Sequence, residues 1–572
     1  MDLWTSFVDL MRRSGIGELF CCLGLGHDDE WTTPVAFAVL CALGVYWLTS
    51  TVMSWLSMTW KLRRMWRTVP RIRGGWPFLG QGMELSKGAP WDVMTRWAME
   101  YGWIYQFTLL GHCNVVVSDP AYMKEVMRSK LTVFNKDIDM AYKPFLSLLG
   151  TGIVTSDGPK WRKQRNKVSA AFRIEVLSEV PGMAQRAVQR LCKKLDAATA
   201  SGESIEIGEE LRHLTLQVIS EALLSLSPEE ADGTFATVYM PIVVEGHKRT
   251  WNPLRRFFPF LPAFWAHRRN QRILNDYITG IIIRRWDLIQ SEIDEASKLK
   301  KLEVVAGANG SGLPEEAQGA VEVNGVRFGE GSKEPRRRDI LDKVLAALEP
   351  GEWGAAAVLQ IRDEIKTFVL AGHETSASML NWSLYELMTN ESLMNKVLEE
   401  SEAVFGRGVS LDKPPPSIEE LRRLEYTEAC LREALRKYSV VPLVVRRCMK
   451  DTTLCGPRGE EHFIPEGASV HLMIKGVHER PDIWSEPERY DPSRFLQQEL
   501  GPYTFLPFID GPRNCLGQHL SLLESKVVMS LLVNRYDFSL VNENASEPNP
   551  WIIPTIPLHG TNLTVKLRRS GS

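Results

Sequence analysis

The chain has 572 residues, of which 44% are apolar and 24% charged, a globular balance that excludes a protein disordered or fibrous throughout. Lysine and arginine number 68 against 70 aspartate and glutamate, so the net charge of -2 gives no global basis for a nucleic-acid partner, and none is expected. The nine cysteines are odd in number and include no Cys-x-x-Cys pair, which argues against a disulfide framework or a zinc site and for reducing surroundings.

From Trp31 to Trp60 no residue carries a formal charge, and Val35 to Leu48 is almost wholly apolar. That length exceeds the ~20 helical residues needed to span a bilayer. The cations Lys61, Arg63, Arg64 and Arg67 follow at once, whereas residues 1–30 are rich in acids, so the positive-inside rule places the body in the cytosol. A cleaved signal would carry its cations before a shorter apolar run. The expectation is a lumenal tail over 1–33, a transmembrane anchor over 34–60, a basic and Pro/Gly hinge over 61–80, and a body over 81–572.

Within the body, Tyr105–Leu110, Gly111–Asn114 and Val115–Val117 read as a hairpin, with a short helix over Pro120–Arg128. Helical periodicity dominates about 160–300, Asp339–Leu348 and Val358–Met388, and strands return near 441–449, 468–474 and 562–568. The fold class is therefore mainly α with small β-sheets. Residues 303–338 carry seven glycines and one aromatic, Phe328, and read as a flexible insert in one large domain.

The run from Phe508 to Gly517 is the most informative. Cys515 stands just before a helical pattern, Leu520–Leu532, where unpaired N–H groups and the helix dipole favour a thiolate. Gly511 and Gly517 permit turns and the approach of a flat cofactor, Phe508 can shield the sulfur, and Arg513 offers donors to a carboxylate. This run resembles the haem-binding signature of the cytochrome P-450 superfamily, with every fixed position filled. Three further segments resemble the same family. Ala371-Gly372-His373-Glu374-Thr375-Ser376 is similar to its oxygen-activation stretch, where Ala371 leaves space over the iron, Gly372 weakens the helix ladder, and Glu374 with Thr375 passes protons. Glu433 and Arg436, with Arg494 in Pro492-Ser-Arg494-Phe495, resemble its structural ion network. Trp161 and Arg165 resemble its Trp-x-x-x-Arg helix, which reaches a haem propionate, and Arg446 is a third propionate candidate with Arg447 as its rival.

The resemblance implies the cytochrome P-450 fold, a single catalytic domain behind its anchor, and a membrane-anchored, microsomal-type monooxygenase. Cys515 would be the axial ligand of the iron of haem b, and O2 would be split with NADPH-derived electrons. No Gly-x-Gly-x-x-Gly βαβ unit appears, so electrons are expected from a separate NADPH-dependent P-450 reductase or other donor, received at Lys160, Arg162, Lys163 and Lys167. Met140–Leu146, Phe368, Val441–Val445 and Pro554–Leu558 correspond to pocket-lining stretches and are mainly apolar, which implies a lipophilic substrate of the fatty-acid, sterol or carotenoid class. Arg255–Leu261 with Phe264-Trp265 would dip into membrane lipid, and a single-pass endoplasmic-reticulum location with a cytosolic catalytic domain is expected. Two rivals remain: a reductase-independent hydroperoxide isomerase or dehydratase of the same fold, and a non-catalytic haem-binding membrane scaffold.

Overall fold

The computed structural model describes residues 32–77, 79–172, 177–251, 255, 259–308, 321–323, 326–328, 339–497 and 499–568, in two compact units, 1–68 and 69–572. The expected tail over 1–31, positions 252–254 and 256–258 of the aromatic-basic loop, and most of the 303–338 insert lie outside the described residues. Helix α1 (Thr32–Thr68) accounts for the first unit. It continues through Lys61–Arg67, so the basic run expected as the start of a hinge is helical. Leu43, Tyr46, Trp47 and Met53 are exposed along it, and among the described residues no helix is long and apolar enough to cross a membrane.

In the second unit β1 (Ile104–Leu109) and β2 (His112–Val117) form the expected hairpin. Leu110 and Gly111 both take positive φ, 49° and 79°, the geometry of a two-residue hairpin turn. With β3 (Phe134–Lys136), β5 (Leu443–Cys448) and β6 (Ser469–Met473) they make a sheet of order β1-β2-β6-β5-β3, in which only β2 and β6 run parallel. A second sheet joins β4 (Ile205–Glu206), β7 (Tyr536–Leu540) and β8 (Asn562–Leu567).

The helices carry the core. They include α2 (Gly158–Ala171), α3 (Val180–Ser201), α4 (Ile207–Leu224), α5 (Ala236–Trp251), α6 (Pro262–Ala308), α7 (Ala355–Thr389), α8 (Glu425–Tyr438) and α9 (Gln518–Arg535). Glu206 caps α4 by accepting the Gly208 and Glu209 N–H groups at 3.1 and 2.6 Å. Helix α7 is buried along most of its length, as its apolar composition requires. Ile361, Ile365, Val369, Met379 and Leu384 all belong to the main core cluster. A Cβ on Gly372 would stand 2.8 Å from Ile219 Cγ1 of α4, so this glycine lets the two helices pack closely. The helix runs unbroken through Gly372.

Candidate active site

The loop before α9 is held by short backbone hydrogen bonds. The Cys515 N–H donates to Phe508 O at 2.9 Å and the Asn514 N–H to Gly511 O at 3.1 Å. Gly511 takes φ 76°, and a Cβ there would stand 2.7 Å from Met127 O, so only glycine fits this turn. The Cys515 side chain is accessible, yet enclosed enough that burial raises its thiol above the ordinary value. Against that rise, the Gly517 and Gln518 N–H groups hydrogen-bond to the sulfur and the Arg165 charge attracts it. This is the donor set of a thiolate ligand at a helix start. Phe508 and Leu516 are half-buried against the main core.

Beside the loop lies an excess of positive charge. Arg513 pairs with Asp157 through Nη2 and stacks over Trp161 at 4.8 Å, while its Nε and Nη1 are buried without a protein partner. Arg446 is buried and donates to Val445 O at 3.1 Å. Lys136 of β3 stands directly opposite Arg446 of β5 in the strand register, and its Nζ donates to Ile153 O at 2.7 Å. Burial, then Arg446 and Arg513, push the Lys136 ammonium down to about 7. Like charges on facing residues oppose each other. An anionic partner with two carboxylates would relieve Lys136, Arg446 and the free donors of Arg513 together, and the propionate edge of haem b fits that description. Arg165 donates to Asn514 O at 2.7 Å and to its Oδ1 at 2.5 Å, so it clasps the cysteine loop. Arg447 is exposed, 3.9 Å from Asp139, which leaves Arg446 as the inward arginine. Lys136 escaped sequence reasoning because nothing near it in the chain marks it; its signal is the register against Arg446.

On α7, Ala371 is exposed and Thr375 half-buried amid buried neighbours. Thr375 Oγ1 donates to Ala371 O at 2.6 Å. Glu374 is buried, with Oε1 3.4 Å from Arg212 Nη2 and Oε2 3.5 Å from His247 Nε2. Burial pushes this carboxyl up, but His247, His373 and Arg212 outweigh it and hold it below its ordinary value. The acid thus rests as a carboxylate turned to α4 and α5. Neither Arg212 nor His247 was a sequence candidate, since each meets Glu374 only through tertiary packing.

The second ion network is dense. Arg436 Nε and Nη2 reach the two oxygens of Glu433, each at 2.8 Å, and its Nη1 donates to His478 O at 3.0 Å. Arg494 Nε lies 3.4 Å from Glu433 Oε1, and the Asp491 N–H donates to the same oxygen at 2.9 Å. On α2, Lys160 and Arg162 are exposed, but Lys163 pairs with Glu352 at 2.7 Å and Lys167 pairs with it too, so two of the four expected donor-facing cations are engaged. Phe368 meets Phe172 edge-on at 5.3 Å, and Phe145 meets His247 edge-on at 5.3 Å.

The family model described as Cytochrome P450 matches residues 70–554. Among curated proteins, the chain is 26% identical over 456 residues to Protein LUTEIN DEFICIENT 5, chloroplastic, of Arabidopsis thaliana, covering 77% of this chain and 68% of that one. It is 25% identical over 566 residues to Cytochrome P450 4d10 of Drosophila mettleri, covering 94% and 98%, and 24% identical over 494 residues to Cytochrome P450 4e2 of Drosophila melanogaster, covering 85% and 86%.

Proposed function

The chain belongs to the cytochrome P450 family and is a P450 monooxygenase; from that premise we propose that Cys515 is the axial ligand of its haem b and that it hydroxylates a lipid with electrons from a separate NADPH-dependent reductase. Haem b supplies the iron at which O2 is activated, and thiolate ligation favours O–O cleavage. Everything else falls to the residues. Gly517, Gln518 and Arg165 favour the anionic form of the Cys515 sulfur and oppose the rise that burial imposes on its thiol, and ligation to the iron would complete the deprotonation. Lys136, Arg446 and Arg513 hold the cofactor's carboxylates, Trp161 braces Arg513, and Glu433, Arg436 and Arg494 fix the segment beneath. Ala371 leaves room on the oxygen side, Thr375 presents a hydroxyl whose hydrogen is committed to Ala371 O, and Glu374 delivers protons.

The observation that carries this reading is the sulfur of Cys515, met by two backbone N–H groups at a helix start and flanked by cations that lack a full set of anions. Its test is the ferrous carbonyl spectrum: the far-red-shifted Soret band is expected in the purified protein and absent in Cys515→Ser. A Cys515→Ser protein that keeps the band overturns it.

Support for a lipophilic substrate of the fatty-acid, sterol or carotenoid class comes from the apolar character of Phe368, Phe172 and Phe145. Substrate-induced spin-state changes against a lipid panel identify the member. The exposed apolar residues of α1 and its basic carboxyl end support an anchor that leaves the body in the cytosol, at the endoplasmic reticulum. Resistance of the full chain, but not of residues 69–572, to alkaline extraction from membranes checks it. The exposed Lys160 and Arg162 support docking of an acidic reductase on that side of α2.

A further inference from the structure

The far end of α7 carries an aromatic pair that none of the roles above uses. Trp382 lies seven residues beyond Thr375 on that helix, about 10 Å along its axis. Its indole faces the phenol ring of Tyr438, the last residue of α8, with centroids 3.8 Å apart and planes 7° from parallel. Both rings are buried. Neutral aromatic rings prefer offset or edge-on packing at centroid separations of about 4.5–7 Å, the arrangement Trp382 itself makes with Tyr385 at 6.1 Å and 90°. The closer face-to-face contact is held by Thr555, whose carbonyl accepts from Trp382 Nε1 at 2.9 Å and whose Oγ1 donates to Tyr438 O at 3.0 Å. Beside the stack, buried Glu386 accepts from the Tyr438 hydroxyl at 2.5 Å and from Lys437 Nζ at 2.7 Å, both at Oε1. Burial, then the Glu386 charge, push the phenol above its ordinary value, so its proton stays on oxygen while the ring keeps its electrons. Indole and phenol are among the side chains that give up a single electron most readily. A ring that has lost one gains from a parallel neighbour at this range, because the charge spreads over both.

We propose that Trp382, Tyr438 and Glu386 form a redox site that drains the oxidising equivalent left at the oxygen side when no substrate is there to take it. The inference goes beyond the monooxygenase reading and rests on it for the place where the oxidant reacts. Hydrogen peroxide, as that oxidant, takes two electrons and two solvent protons, its O–O bond breaks, and it leaves as two waters. One electron comes from the haem and one from Trp382. The indole is refilled from Tyr438 across the stack, and the phenolic proton moves to Glu386 Oε1 along the existing hydrogen bond. The site then holds a neutral tyrosyl radical beside a protonated Glu386, with Lys437 still at hand. Two electrons from the reductase later restore the haem and the phenol, and Glu386 returns the proton. The stack that is unfavourable for neutral rings is thus favoured in the state in which it works. A phenol that only filled the core would be as well served by a carbonyl, as Tyr490 is by Cys430 O at 2.6 Å.

The test uses the haem-loaded full chain without lipid, mixed with hydrogen peroxide and rapidly frozen for electron paramagnetic resonance. The expected result is an organic radical signal that narrows when the protein carries ring-deuterated tyrosine. Tyr438→Phe, which keeps the stack, is expected to lose that signal and to have its Soret band bleached faster by peroxide. Its ferrous carbonyl spectrum and its initial rate of NADPH-driven lipid oxidation are expected to be unaltered. Glu386→Gln is expected to lose the tyrosyl signal with both rings intact, an effect that a packing role would not produce. Tyr536→Phe is the control: its hydroxyl also meets a carboxylate, Asp196 at 2.6 Å, but its ring neighbour is Phe538, and the signal is expected to remain. The proposal is overturned when Tyr438→Phe keeps the signal and the bleaching rate of the unmodified protein, or when Glu386→Gln keeps the tyrosyl signal. It is equally overturned, whatever becomes of the variants, when the unmodified protein shows the ferrous carbonyl band but no deuterium-sensitive signal after peroxide. An unmodified protein without that band sinks the monooxygenase reading instead.

Discussion

Glu433 and Glu374 are both buried carboxylates faced by arginine, on helices that pack against each other, yet their surroundings differ in kind. Glu433 accepts two hydrogen bonds from Arg436 at 2.8 Å and one from the Asp491 N–H at 2.9 Å, and Arg436 spends a further donor on the His478 carbonyl. Glu374 meets the Arg212 guanidinium at 3.4 Å and the His247 ring at 3.5 Å, and Arg212 holds another carboxylate more closely. Burial sets the cost of stranding a charge. The number and length of its contacts set whether it can let go. The first arrangement suits a fixed support, the second a group that must change partners.

The sharpest way to break the comparison is to truncate both acids. Glu433→Ala strands the fully buried Arg436 and is expected to cost about 3–5 kcal/mol, with loss of haem retention during purification. A variant that keeps its haem and its denaturation midpoint would show that the dense network is not a support. Glu364, a third buried acid, extends the series. It accepts from the Ile153 N–H at 2.8 Å and from Gln360 at 2.9 Å, and burial pushes its carboxyl up to about 7. Its folded pKa lies above the unfolded one, so the stability it contributes is full below about 4.5 and is lost as pH rises to about 7, on the order of 3 kcal/mol in all. Glu364→Gln should flatten the denaturation midpoint between pH 5 and 7, and an unchanged slope would refute the assignment. Glu374→Gln is expected to change stability by less than about 1 kcal/mol, because Arg212 retains Glu209, while coupling of NADPH to product collapses. A loss comparable to that of Glu433→Ala would erase the distinction. At the surface end, Glu352→Gln releases Lys163 and Lys167 and should leave the melting temperature within about 1 °C while strengthening association with an acidic donor at low salt.

What could be read from the chain was whatever lay in one short run. The cysteine loop, the Ala371–Thr375 stretch and the Glu433/Arg436 pair are local patterns, and helix α7 announced itself by periodicity and length. What could not be read depends on elements far apart in sequence. Arg212 and His247 converge on Glu374 from two other helices. Lys136 acquires meaning only when β3 pairs with β5. Arg165 has the spacing that resembles a propionate ligand, and its contact with Asn514 forms only when the distant cysteine loop folds against α2. Lys163 and Lys167 look like a docking patch until the turn bearing Glu352 folds against them.

The pairing of Lys136 with Arg446 bears on the order in which the molecule assembles. Strand β3 is only three residues long and lies at the edge of its sheet, so it gains little from its own ladder and brings a cation against a cation as it docks. In the cofactor-free protein the amides of 134–136 should therefore exchange with solvent sooner than those of β5, and loading the cofactor should slow them. The last strand to close would then report, residue by residue, on whether the enzyme has been filled.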